Sequence, residues 1–275
     1  MKTLFYLFVS FLCIITSEIV SADNTLKILS TTSTRDSGFY DYILPIFEKK
    51  YNIKSYSINT GTGQAINNAK NCNGDILITH AEKLEESFVN SGYGVSRNNL
   101  MYNNYVIVGP SSLKKYFLNF TKVTEAYNLI YSKEFLFISR GDESGTHYSE
   151  QNIWRTANIE INNEESWYLS VGQGMGPTLN MAIAMDAITY TDIATWLKFS
   201  NKANHAILFQ GDGMMENQYG ITLISSKYCQ NINHKNAKLF HDWILSEEGQ
   251  KIIGQYQYNN TPLFNPNFTR KTRKY

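Results

Sequence analysis

No run in this chain reaches the ~18 consecutive apolar residues that a membrane-spanning helix needs. Metal-ligating spacing is missing too. Neither C-x-x-C nor H-x-x-x-H occurs, and His80, His147, His205, His234 and His241 are scattered, which argues against a structural metal. Charge of one sign is not in excess: Lys+Arg 25 against Asp+Glu 24 leaves +1, so nothing favours a nucleic-acid partner electrostatically. Four of the positive residues crowd into the C-terminus (Arg270, Lys271, Arg273, Lys274), which leaves the body mildly acidic. With Pro 5 and Gly 17, the composition excludes a collagen-like or low-complexity chain, and 43% hydrophobic with 18% charged residues excludes a disordered one. A P-loop and G-x-G-x-x-G are both absent, and Gly172-Gln173-Gly174-Met175-Gly176 has the wrong spacing for either. No cofactor is expected.

The N-terminus carries an address. Lys2 precedes an apolar run over residues 4–15, and Val20-Ser21-Ala22 supplies the small residues at which signal peptidase cuts. Residues 1–22 are therefore read as a signal peptide and the mature protein as periplasmic. Cys13, behind bulky Leu12, is a poor context for lipid attachment. Removing the leader leaves Cys72 and Cys229, which in an exported chain are either a disulfide or two buried free thiols.

The 275 residues allow one large or two medium domains. Strand-like segments at 26–29, 55–58, 76–79 and 105–108 alternate with helical periodicity at 39–51, 64–70 and 82–90. A second series follows Gly109-Pro110: helix 123–131, strand 135–139, helices 144–157 and 178–187, strand 188–190, a helix from Asp192, and strands 206–209 and 221–224. One amphipathic helix, 236–256, closes the chain, and Pro45 should kink the helix at 39–51. Such alternation predicts an α/β fold in two lobes, each a mostly parallel sheet flanked by helices. Residues 23–108 with 222–275 form one lobe and 109–221 the other, joined by two β crossings.

Three loops each follow a strand and open a helix: 30–37, 60–63 and 140–146. In α/β sheets such loops line the crevice at the strand ends, and the first helical turn offers free N–H groups and a partial positive charge. Arg140 adds a guanidinium that grips an oxyanion through two parallel bonds. The alternative for each Ser or Thr is a helix N-cap and nothing more. A hydrolase reading rests on Gly141-Asp142-Glu143-Ser144-Gly145 with His147, yet this is not the G-x-S-x-G nucleophile elbow.

Ser30-Thr31-Thr32-Ser33-Thr34 with Asp36-Ser37-Gly38, and Ser139-Arg140-Gly141-Asp142-Glu143-Ser144-Gly145-Thr146-His147 with Glu150, resemble the two signatures of the tungstate-binding proteins of bacterial ABC importers. Gly61-Thr62-Gly63 and Gly174-Met175-Gly176 are similar as well, and the likeness runs through nearly the whole mature chain. One departure is Ser30, where the family usually has Thr. The resemblance implies a monomeric, type II-like periplasmic binding protein whose lobes close on a tetrahedral oxyanion and then dock on a membrane permease. Position by position, it implies ligand donation by Thr31, Thr32, Ser33, Thr62 and Gly63 from one side and by Arg140, Ser144 and Thr146 from the other. The anion is held as an oxyanion, without metal ligation.

The 140–146 loop also resembles that of phosphate-binding proteins, so phosphate and sulfate are alternatives. Phosphate near neutral pH carries hydrogen and calls for an acceptor, whereas tungstate, molybdate and sulfate suit a site made wholly of donors. Phosphate binders place an Asp after the strand matching 75–79; here stand Thr79-His80. His80 is either a direct ligand, a residue behind the ligands, or a surface residue. Tungstate over molybdate rests on the family signature alone.

Overall fold

The computed structural model describes residues 24–162 and 165–268; the segment read above as a signal peptide and the basic tail fall outside the described residues. In chain order the elements are β1 (Thr25–Thr31), α1 (Thr32–Asp36), α2 (Phe39–Tyr51), β2 (Lys54–Thr60), α3 (Thr62–Lys70), β3 (Ile76–Thr79), α4 (Glu82–Asn90) and β4 (Gly94–Pro110). There follow α5 (Val123–Lys133), β5 (Phe137–Ser139), α6 (Gly145–Thr156), β6 (Tyr168–Ser170), α7 (Met175–Ala184), β7 (Ile188–Asp192), α8 (Ile193–Lys198) and β8 (His205–Phe209). β9 (Glu216–Ile224), α9 (His234–Ile244) and α10 (Glu247–Gln255) complete the frame.

Two sheets share one long strand. In the first, β1 pairs β2 and β3 in parallel, and β9 then runs antiparallel to both β3 and β4. In the second, β5 pairs β6 and β7 in parallel, while β4 runs antiparallel to β7 and β8. The antiparallel β4 is the strand that passes from one sheet to the other, and the chain returns to the first sheet at the start of β9. β4 pairs β9 through Asn104 and β7 from Tyr105, so the passage occurs between neighbouring residues.

Both faces of the first sheet are covered, which is why β3 is buried at every position. Period-two alternation turns Ile28, Ile76 and Ile78 toward α2 and α9 (Phe39, Phe47, Phe240, Trp243), and Leu29 and Leu77 toward α3 and α4 (Ala65, Ala69, Phe88). The second sheet buries an aromatic core around Trp154, Tyr127, Phe137, Trp167 and Tyr168.

The periodicity offers no strand at β6 and starts α7 at 178 instead of Met175, and four further elements differ from it. The closing helix is two helices, because Ser246 turns out of helical geometry and caps α10 by accepting the Gly249 N–H. The polar elbow after β1 is itself the short helix α1, and Gly38, at φ +75°, separates it from α2, within which Pro45 sits. β4 begins at Gly94, well before the strand expected at 105–108; cross-strand pairing to β9 overrides the weak strand preference of its Ser, Arg and Asn residues. For the same reason β9 begins at Glu216, five residues before its apolar run. Cys72 and Cys229 are joined in a disulfide, with their Cα atoms 5.5 Å apart.

Candidate functional site

Each predicted loop becomes a helix entrance for a local reason. Thr31 leaves β1 in extended geometry and its Oγ1 accepts the N–H of Thr34, capping α1. Ser144 caps α6 by accepting the N–H of His147. Gly61 precedes α3, and Gly63 in its first turn has open space where a Cβ would stand. The 140–144 loop turns on Gly141 at φ +58°, where a Cβ would lie 1.8 Å from Ser170 Oγ, so no side chain fits.

These entrances meet across the boundary between the sheets. Arg140, 1% exposed, donates from Nη1 to Ser33 Oγ at 2.9 Å and to Thr146 Oγ1 at 3.5 Å, and from Nη2 to Thr32 Oγ1 at 3.4 Å and to Asp142 at 2.5 Å. The N–H of Gly145 donates to Thr62 Oγ1 at 3.3 Å. Thr31, Ser33, Thr62, Ser144 and Thr146 are all at most 1% exposed. Thr32 and Gly63 lie further out, lining a cavity of about 490 Å³ with Gly61, Asp142, Gly172 and Gly174. All eight predicted donors thus come to one region, six behind the cavity and two on its wall. Arg140 Nε is buried without a partner, a spare donor.

Sequence reasoning did not assign the fourth entrance. Gly174 opens α7, and a Cβ on it would lie 3.5 Å from Thr32 Oγ1, so its backbone approaches the site closely. The signal is the glycine run 172–176: the resemblance includes Gly174-Met175-Gly176 but gives it no place in the site, and the periodicity starts the helix at 178 rather than at Met175. Four helix N-termini therefore point at one region.

The surrounding ionisable groups are tuned by burial. His80 is buried: Nδ1 lies 2.9 Å from Asn217 Oδ1 and 3.2 Å from the Tyr105 hydroxyl, and the ring stacks on Tyr219. Burial, assisted by the Arg140 charge, pushes its pKa down to about 4, so it is neutral. A Cβ on Gly145 would strike the His80 carbonyl at 2.7 Å, so His80 packs behind α6. Asp142 accepts Arg140 on one oxygen and the Ser144 N–H on the other. The His147 ring takes the Glu143 N–H on Nδ1, while the Ser144 hydroxyl caps the His147 backbone. Neither bond pairs hydroxyl with imidazole as a serine nucleophile needs.

Glu150, fully buried beneath the Arg140 loop, accepts from Ser139 Oγ and the Tyr168 hydroxyl, both at 2.8 Å, and from Trp154 Nε1 at 3.2 Å. Burial lifts its pKa to about 7 from an ordinary 4.5, with those hydrogen bonds opposing. The folded state thus keeps a proton that the unfolded state releases, and stability falls as pH rises from about 4.5 to about 7, by roughly 3 kcal/mol. Glu150→Gln, with the Ser139 hydroxyl reversing, is expected to abolish that part of the slope. Urea unfolding of both proteins from pH 4.5 to 8 checks this: the stability difference between them should change by that amount across the window, and a constant difference contradicts the assignment.

The profile of the PBP superfamily domain matches residues 20–248. The chain is 39% identical over 256 residues to the tungstate-binding protein TupA of Peptoclostridium acidaminophilum, covering 91% of this chain and 88% of that protein. Among solved structures it is similar to the tungstate ABC transporter protein of Geobacter sulfurreducens (TM-score 0.78, 40% identity, 84% of this chain and 98% of that one). It is also similar to the TupA tungstate-binding protein of Desulfovibrio alaskensis G20 (TM-score 0.76, 35% identity, 89% and 99%).

Proposed function

The chain belongs to the PBP superfamily and, within it, to the tungstate-binding protein family, and from that membership we propose that it captures tungstate between two lobes and delivers it to an ABC importer. The observation that carries this reading is the convergence of four helix N-termini, a buried guanidinium and the hydroxyls of Thr31, Thr32, Ser33, Thr62, Ser144 and Thr146 from both sheets. The two sheets are taken as the cores of the two lobes expected at residues 23–108 with 222–275 and at 109–221; β4 changes partner between Asn104 and Tyr105, close to the first of those boundaries. Arg140–Ser33 and Gly145–Thr62 bond across them, so a ligand there would stabilise the closed form.

The donor set suits an anion without hydrogen. Asp142, on the cavity wall, already accepts Arg140 on one oxygen and the Ser144 N–H on the other, so it is held by protein donors rather than turned freely toward the hydrogen of a phosphate. The role is binding, not catalysis, and the partner would be a membrane permease. The leader would place a monomeric protein in the periplasm.

Calorimetric titration with tungstate, molybdate, sulfate and phosphate tests the reading. One tungstate per chain is expected, bound more tightly than molybdate, with phosphate failing to compete. Molybdate binding as tightly as tungstate removes the specificity, and phosphate binding best reassigns the ligand.

A further inference from the structure

Behind the donors, a line of buried side chains crosses the junction between the sheets. Asp192 caps α8: its Oδ1 accepts the Thr195 N–H at 2.9 Å, which makes that oxygen an acceptor whatever the rest of the carboxyl does. Asn103 Nδ2, 3.2 Å away, must therefore donate to it, turning the Asn103 oxygen toward Asn217 Nδ2 at 2.8 Å. The same Nδ2 group reaches the Tyr219 hydroxyl at 3.1 Å, so the Asn217 oxygen faces His80 Nδ1 at 2.9 Å. An amide oxygen only accepts, so neutral His80 must carry its proton on Nδ1. The Tyr105 hydroxyl, 3.2 Å from that N–H, cannot donate back to it, and its other hydrogen-bonding neighbour is Thr146. A proton given by Tyr105, beside that from Arg140 Nη1 3.5 Å away, would engage both lone pairs of Thr146 Oγ1 and leave its own proton to point elsewhere.

We propose that Asp192, acting through Asn103, Asn217, His80 and Tyr105, orients the Thr146 hydroxyl as a donor toward the bound oxyanion. These are positioning residues, and the proposal rests on the oxyanion reading of the site. The line has a fixed direction because one end is anchored on a backbone N–H, and every member is nearly fully buried, so solvent does not reset it. Asn103 and Asn217 are opposite one another in the β4–β9 register, and Tyr105 is opposite Asp192 in β4–β7, so the alignment exists only while the crossing strands keep that register.

Two measurements test it. Long-range proton–nitrogen NMR of the full chain labelled in histidine should find His80 protonated on Nδ1 alone, and Asn217→Leu should move or mix the tautomer. A proton on Nε2 in the unsubstituted protein overturns the proposal. Calorimetry with tungstate should show Asn217→Leu weakening binding about three- to tenfold, the reach of one hydrogen bond, but less than about twofold when Thr146→Val is already present. Equal losses in the two backgrounds overturn it. Tyr105→Phe, which removes a single oxygen, repeats the comparison should Asn217→Leu fail to fold. Absence of tungstate binding by the unsubstituted chain refutes the function proposed above, and the NMR result still decides the line of hydrogen bonds.

Discussion

Replacing Arg140 by alanine is expected to weaken tungstate binding by at least about 1.5–3 kcal/mol, the range for hydrogen bonds to a charged group. The effect has two sources. The guanidinium bridges Thr32 and Ser33 to Thr146 and Asp142, so its loss removes direct donors and a link that draws the lobes together. It also strips Asp142 of its cation, leaving a carboxylate beside an incoming dianion. Arg140→Lys keeps the charge and loses the fork, so its affinity should lie between wild type and alanine. Adding Asp142→Ala to Arg140→Ala should recover part of the loss. Unchanged affinity in Arg140→Ala removes this residue from the site.

Reducing the Cys72–Cys229 bond is expected to cost about 2–5 kcal/mol of unfolding free energy, because it closes a loop large enough to restrict the unfolded chain strongly. The loop spans 157 positions and contains the whole second sheet, while both cysteines lie with α3 and β9 in the first. Reduction should therefore lower the unfolding temperature and leave tungstate affinity unchanged while the chain remains folded. Urea unfolding with and without reductant, repeated on Cys72→Ser with Cys229→Ser, measures it. A shift below about 0.5 kcal/mol, the scatter of neutral surface changes, contradicts the expectation; reduced affinity in the folded protein contradicts the separation of bond and site.

Some of this was legible before any fold was known. Strand 76–79 and helix 82–90 stand where periodicity places them, the strand because its residues are apolar or β-branched throughout and the helix because Leu84 and Phe88 fall one turn apart. The helix entrances at Thr31, Gly61 and Ser144 follow from capping chemistry, which needs only three or four neighbouring residues. The Gly174 entrance was hidden because glycine spacing carries no information about what its backbone approaches. The first half of β4 was hidden because its polar residues are held by β9, more than a hundred positions away.

Alternation of strand and helix, three loops that open helices and the signature shared with the tungstate-binding family were set by residues close together in the chain, where hydrophobic period and capping act. The bond between Cys72 and Cys229, the fourth helix entrance and the aligned hydrogen bonds from Asp192 to His80 required the folded protein. Asparagine and histidine have no preferred partner in sequence; the register of two crossing strands decides whom they meet, and burial then fixes which atom donates.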